Sequence, residues 1–394
     1  MPRRYGLSLI YAIGLVQGLA LVTFPAASNI FTSPQGFHFS ASRYGMMFIP
    51  QVILAILASS LAARMARRWN LKRVLLVGLS ANFLAMALLA LSRMLQESPG
   101  AAYTTLLVAT GALGLGFGAT VMAANTYAET FSPGRENRAV LILNALLGTG
   151  TALAPIFVAI VIALGAWWLL PSAIAVALAG LLMLSAKEPL EASREAARAS
   201  NSKGLPRRFY LYATAVLLYG IMETLNGNWS GPYLTGDRGV STQNASFALT
   251  TFWAMVTIGR ILFAAVSSET KVRWVYVGMP MLLIPAFQVI SHASGATSGI
   301  VSFGLAGLGC SAFFPLCISL SGKEFPRFAA AMSGEIVAFY QAGYGVAAFG
   351  VGPLREFAAV PFRTIYSSAS LLAAAMLVVA LVVVRAGPQR SAEG

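Results

Sequence analysis

Charge is scarce in this chain. Only 10% of its 394 residues are Asp, Glu, Lys or Arg, and the acids number 13, none of them before Glu97. A soluble domain carries about 25% charged residues, so too little polar side chain is present to solvate a globular surface. Cysteine and histidine are nearly missing, with two of each. Cys310 and Cys317 lie two helical turns apart on one face of an apolar stretch. A disulfide is sterically excluded there and two sulfurs alone make no metal site, so both are expected to be packing residues. His38 and His292 fall at the ends of apolar runs, where solvated rings are expected. No phosphate-cradling loop, zinc spacing or catalytic triad is visible, which argues against an enzyme, and no cofactor or metal is expected.

Apolar residues are what the chain has in excess: 57% of the total, with a mean hydropathy of +0.73. They gather in runs long enough to cross a hydrocarbon core, which takes about 20 residues of helix. A transmembrane barrel would show short alternating segments instead. Twelve spans are expected, at 6–31, 41–62, 73–94, 101–128, 137–164 and 167–186, then 209–234, 243–266, 274–292, 298–320, 329–352 and 362–385. The first run is too long for the apolar core of a signal peptide and shows no clear small-residue cleavage site, so it is read as a retained span. Between the sixth and seventh spans lies the one long polar stretch, Lys187 to Arg208. The expected organisation is an N-terminal six-helix bundle over 1–186, a cytoplasmic linker over 187–208, and a C-terminal bundle with a short cytoplasmic tail over 209–394.

Orientation follows from the basic residues, which favour cytoplasmic loops. With both termini inside, 21 of the 27 Lys and Arg fall on the inner side. Arg43, Arg93, Arg238, Arg355 and Arg363 lie outside, and Arg260 alone is embedded. Inverting the chain or removing one span destroys this bias. The net charge of +14 therefore reflects short loops at a lipid bilayer, and a nucleic-acid partner is not expected.

The two halves echo each other. Gly114-Leu115-Gly116 followed by Phe131 and Pro133 recurs as Gly307-Leu308-Gly309 followed by Phe325 and Pro326. Gly148-Thr149-Gly150 recurs as Gly343-Tyr344-Gly345, and the first span, with Gly14, Gln17 and Pro25, answers the seventh, with Gly220, Glu223 and Pro232. A duplicated six-span unit suggests two bundles facing each other across a cavity.

An ionisable side chain in the membrane interior costs about 2.5–3.5 kcal/mol on insertion scales, so embedded acids come first as candidates. Only Glu223 and Glu335 sit well inside spans. Tyr219, Glu223, Asn226, Ser230 and Tyr233 recur at helical spacing on one polar and aromatic face, with Trp229 beside it. Such a face suits a sugar or similar polar ring, and Glu223 is the candidate proton carrier. The alternatives for Glu223 are a structural carboxyl bonded to a neighbouring helix or a partner for Arg260. Glu335, nearer the inner end of its helix, is a second candidate for proton coupling, or else bonds backbone or a basic loop residue. Tyr340 points about 140° away from it on the helical wheel. Arg260, near the inner end of its helix, is expected to snorkel or to hold contacts between bundles, with anion binding as the alternative. Gln17, Gln51, Asn82, Asn144 and Gln341 are buried by position and are either helix–helix hydrogen bonds or cavity lining.

Taken together the chain resembles the major facilitator superfamily along essentially its whole length. Ser60-Leu61-Ala62-Ala63-Arg64-Met65-Ala66-Arg67-Arg68 is similar to that family's loop after the second span, with Ala63 and Ala66 replacing its Asp and second Gly. Arg64, Arg67 and Arg68 are, by that resemblance, gating residues together with Arg260. Tyr219-Gly220-Ile221-Met222-Glu223 with Trp229 and Tyr233, and Phe313-Phe314-Pro315, resemble the fucose–proton symporter branch. The first span lacks the Asp carried by sugar symporters of this kind, leaving any proton coupling to the second half. The expected cavity lining is Gln17, Gln51, Asn144, Tyr219, Asn226, Trp229, Tyr233, Tyr340 and Gln341, with Gln17 and Asn144 favoured because the resemblance implies that the first and fifth spans line the cavity.

The expected protein is an all-α, monomeric secondary transporter of a cytoplasmic (inner) membrane, taking up a small polar solute such as a sugar with protons. Proton-coupled efflux of a cationic or amphiphilic compound is the alternative. A non-transporting sensor or lipid-handling protein comes third.

Overall fold

The computed structural model describes residues 2–133, 135–190, 205–264, 269–325 and 329–385, and every regular element among them is helical. In chain order the helices are α1 (Pro2–Ala26), α2 (Ser28–Thr32), α3 (Ala41–Met46), α4 (Ile49–Trp69), α5 (Leu71–Leu91), α6 (Pro99–Phe131), α7 (Glu136–Ala163) and α8 (Leu169–Lys187). They continue as α9 (Phe209–Pro232), α10 (Thr242–Ala264), α11 (Glu269–His292), α12 (Ala296–Ser311), α13 (Phe313–Glu324), α14 (Ala329–Glu356) and α15 (Phe362–Arg385). Ten stretches are long and apolar enough to cross a membrane, α1–α2, α3–α4 and α12–α13 each counting as one. The long helices α9 and α14 fall outside that set, and they carry Glu223 and Glu335. Most of the expected linker lies outside the described residues.

Packing repeats along the chain as the sequence does. Helix α1 packs on α7 as α9 packs on α14, α4 on α6 as α10 on α12, and α5 on α8 as α11 on α15. The repeated glycines mark the closest approaches. A Cβ at Gly114 would run into the Gln51 carbonyl, and one at Gly307 into that of Phe252. Gly150 sits against the Leu15 carbonyl, and Gly343 against that of Leu217. Without an apolar driving force between helices in lipid, such backbone approaches supply much of the association.

Polar contacts at one end join segments that the basic residues assign to the inner side. Lys72 Nζ donates to the carbonyls of Ala186 and Glu188 at 2.8 Å each. Arg208 pairs with Glu324 at 2.7 Å and donates to the Val383 carbonyl. Segments assigned to the outer side meet at the other end, where Arg355 pairs with Asp237 at 2.8 Å and Arg238 donates to the Ser291 carbonyl.

Hydrogen bonds join α1–α8 to α9–α15 from that outer end to about mid-depth. Ser42 N–H donates to Glu356 at 3.1 Å, Thr235 Oγ1 to Asn29 at 2.9 Å, and Tyr44 O–H to the Asn228 carbonyl at 3.0 Å. Deeper in, Gln51 Nε2 reaches the Tyr344 hydroxyl at 3.4 Å. Pro232 explains why the Asn228 carbonyl is available. Proline has no N–H to give the residue four before it, and in lipid that carbonyl must find another donor. Gly45 meets the Ala348 carbonyl and Gly352 meets that of Ala41 along the same seam. The halves thus meet closely at the end that the basic residues assign to the outer side.

Hydrogen bonds from Ser40 and Ser42, with Arg43 nearby, hold the Glu356 carboxyl below the usual carboxylate range. A depressed value means that this group's support for the seal is full above its ordinary pKa and is lost only as pH falls through the lowered one. Glu356 therefore stays ionised at neutral pH and is no carrier of protons there.

Placing Gly352→Leu in the seam should force the outer ends apart. With Val52→Cys as reporter, beside Gly345, labelling by a membrane-impermeant maleimide added outside should rise several-fold. Unchanged labelling would show that the seam tolerates bulk and does not seal the outer side.

Candidate functional site

The break between α12 and α13 builds the centre of the second half. Pro315 removes the N–H that would bond the Ser311 carbonyl, and the helix restarts after Ala312. With 16 residues on one side and 12 on the other, Ser311 lies roughly 18–24 Å from each end, near mid-depth. Arg260 Nε donates to the freed Ser311 carbonyl at 3.2 Å. Gly259 packs on Ser311, which fixes α10 at this depth. Arg260 lies one turn before the inner end of α10, and its guanidinium turns to the Ser311 carbonyl and Glu223 instead of snorkelling to the inner surface.

Glu223 lies beside it. Its side chain is 4% exposed and that of Arg260 31%. Tyr219 O–H donates to Oε1 at 2.5 Å, Tyr340 O–H donates to Oε2 at 2.6 Å, and Arg260 Nη2 stands 3.8 Å from Oε1. Tyr219 also approaches the Cys310 carbonyl at 3.0 Å. Four helices, α9, α10, α12 and α14, thus converge on one carboxylate. Aromatic rings surround it: Tyr219 stacks on Phe313 and Phe314, and Phe314 contacts Tyr340.

One turn beyond Tyr340 on the same helix, Tyr344 accepts from Asn228 at 3.1 Å and from Gln51 across the seam. Tyr344 and Asn228 were not among the sequence candidates. The signal was present in the four-residue spacing from Tyr340 and in the repeated Gly343-Tyr344-Gly345 motif.

The first half supplies an uncharged counterpart. Gln17 and Asn82 exchange hydrogen bonds, the shorter 2.6 Å, and Asn82 also donates to Thr120 at 3.2 Å. Asn144 donates to Asn125 at 3.2 Å. Gln17, Thr120, Asn125 and Asn144 line a small cavity of about 10 Å³, near the room that one water needs.

Other candidates fall elsewhere. Trp229 and Tyr233 are fully buried, and their polar atoms bond the carbonyls of Ala347 and Ile290 at 3.0 and 2.7 Å, so they pack helices at the outer end. Asn226 turns its amide onto Met222 of its own helix. Gln341 is buried beside Tyr340 in sequence but is not brought to Glu223 by a described bond. Glu335 is half-buried, and no described bond brings it to the cluster. Arg68 is exposed, and the side chains of Arg64 and Arg67 lie outside the described residues. Cys310 and Cys317 are both free and buried.

Comparison with known proteins bears on this arrangement. The family model described as Major Facilitator Superfamily matches residues 7–222. No curated protein matches the sequence. Among solved structures the fold is similar to the E. coli fucose:proton symporter FucP, at 15% identity and a TM-score of 0.65 over 97% of this chain and 99% of that one. It is similar to the nucleoside transporter NupG, at 14% identity and a TM-score of 0.76 over 96% and 99%. A D-xylose-proton symporter matches at 15% identity and a TM-score of 0.74, over 96% of each chain.

Removing one member of a buried ion pair costs about 3–5 kcal/mol, because the other is left uncompensated. Arg260→Gln should lower the melting temperature of the purified protein markedly, and should do so much less in a Glu223→Gln background. Equal losses in both backgrounds would mean that the two groups are not coupled.

Proposed function

The chain belongs to the major facilitator superfamily, a family of multi-pass membrane transporters, and on that premise we propose that it takes up a small polar solute such as a sugar together with protons. Glu223 carries this reading. It is a carboxylate near mid-depth, held by Tyr219, Tyr340 and Arg260, and nothing in packing alone calls for an acid at that place. Two proteins of similar fold are described as proton symporters, of fucose and of D-xylose, which supports the same class of cycle. The solute would lie between the amide-rich wall of Gln17, Asn125 and Asn144 and the charged cluster of the second half.

The coupling follows from hydrogen-bond roles. Ionised Glu223 accepts from both tyrosines. A proton on Oε2 turns that oxygen into a donor, so the Tyr340 hydroxyl must rotate and accept. Tyr340 sits one turn from Tyr344, whose hydroxyl holds Gln51 of the first half. The proton thus biases the helix that seals the outer side, and the two six-span bundles rock about the 187–208 linker to expose the solute to either face. Both termini lie in the cytoplasm in this reading, and the membrane is the cytoplasmic one.

In proteoliposomes, Glu223→Gln should abolish accumulation driven by an imposed proton gradient while leaving solute exchange in place. Uphill uptake that survives the substitution would remove Glu223 from the coupling. Proton-driven extrusion from loaded vesicles, with no uptake, would show the opposite direction of transport.

A further inference from the structure

Arg260 has more donor capacity than its neighbours use. Its Nε serves Ser311 and its side chain also bonds the Tyr219 hydroxyl, while Glu223 stands 3.8 Å from Nη2 with both oxygens already engaged by tyrosines. The guanidinium offers five N–H donors in a fork that matches a carboxylate. Its exposure is also directed. The outward surface of α10 is marked by Ile258, Ile261 and Leu262, each about half exposed. On a helical wheel Arg260 lies roughly 150° from their mean direction, so its open surface faces the protein interior and not lipid. Thr257, one turn away on nearly the same face, touches Gly148 of α7. The two helices run antiparallel, so continuing inward from that contact brings Arg260 level with Asn144. Arg260 thus lies on the side of α10 that meets α7, the helix that carries Asn144, itself bonded to Asn125.

We propose that Arg260 is the anchor for an anionic group of the solute, so that the transported compound is a hydroxyl-bearing carboxylate such as a sugar acid and not a neutral sugar. The proposal rests on the proton-coupling reading and sharpens its substrate. When Glu223 takes a proton, Arg260 loses its countercharge and the site becomes singly positive. A carboxylate then restores neutrality, with its hydroxyls on the amide wall. When Glu223 releases the proton, its negative charge competes for the same guanidinium and expels the anion. The other titratable groups that face Glu223 are Tyr219 on its own helix, Tyr340 on α14 and the Cys310 thiol on α12. All three are neutral when protonated, which leaves Arg260 as the only fixed charge among the described neighbours of Glu223. One proton with one monovalent anion is electroneutral, whereas a proton with a neutral sugar moves charge.

The test uses the purified full-length protein with D-glucuronate and D-gluconate as probes, and D-glucose, L-fucose and uridine as neutral controls. Thermal-shift titrations should show stabilisation by the acids and not by the neutral compounds. Arg260→Gln should weaken the acids about tenfold or more, the scale of a charge-assisted hydrogen bond. Glu223→Gln, which mimics the protonated site, should tighten them and remove their dependence on pH. In proteoliposomes, uptake of the acid should follow a pH gradient and ignore an imposed potential. If Arg260→Gln does not fold, Arg260→Lys and Glu223→Gln still report. Silence of every carboxylate, or equal response to the neutral sugars, would overturn the proposal. A neutral solute that binds with pH dependence intact would sink the anion anchor and leave proton coupling standing. Anion binding indifferent to Glu223 would do the reverse.

Discussion

A carboxylate near the middle of a membrane protein must be satisfied by the protein itself, and the second half of this fold is arranged around that requirement. Glu223 is buried, so each oxygen needs a donor and the charge needs a counterpart. Tyr219 comes from the same helix, one turn back. Tyr340 and Arg260 come from two others, and a fourth helix holds Arg260 through the Ser311 carbonyl. Proline makes the last contact possible, since Pro315 strips the Ser311 carbonyl of its helical partner. The same device recurs at Pro232, where the Asn228 carbonyl is freed and taken by Tyr44 from the other half. In both places a defect in one helix becomes a bond between two.

These bonds sit within packing that glycine permits. The paired approaches at Gly114 and Gly307, and at Gly150 and Gly343, bring equivalent helices together in each half. Bundles held by backbone contact are stiff units, because small residues leave little room for repacking. The softer contacts lie between the halves, as a few hydrogen bonds from the outer end down to Gln51 and Tyr344. Rigid halves with a separable seam are what alternating exposure of a central site requires.

Much of this was legible in the sequence, for identifiable reasons. Membrane helices read clearly because lipid enforces long apolar runs. Glu223 stood out because so few acids exist to compete with it, and Tyr219 because it falls one turn away. The helical wheel also put Trp229 and Tyr233 near that face, but a wheel does not say which neighbour covers a residue. Both are capped by carbonyls of other helices at the outer end. Arg260 does lie near the inner end of its helix, but which way its side chain turns depends on the Ser311 carbonyl and Glu223 of other helices, and no spacing within α10 announces that. The Gln17–Asn82–Thr120 chain needs three helices in register, and no spacing within one of them announces it.

The central claim is that Glu223 gains and loses a proton as the protein works. Difference infrared spectroscopy on the protein in lipid, with solute added or withdrawn, reads carboxyl protonation directly. The account predicts a protonated-carboxyl band that changes with solute and is missing when residue 223 is Gln. A band that persists in that variant, or a carboxyl signal that solute never perturbs, would contradict it.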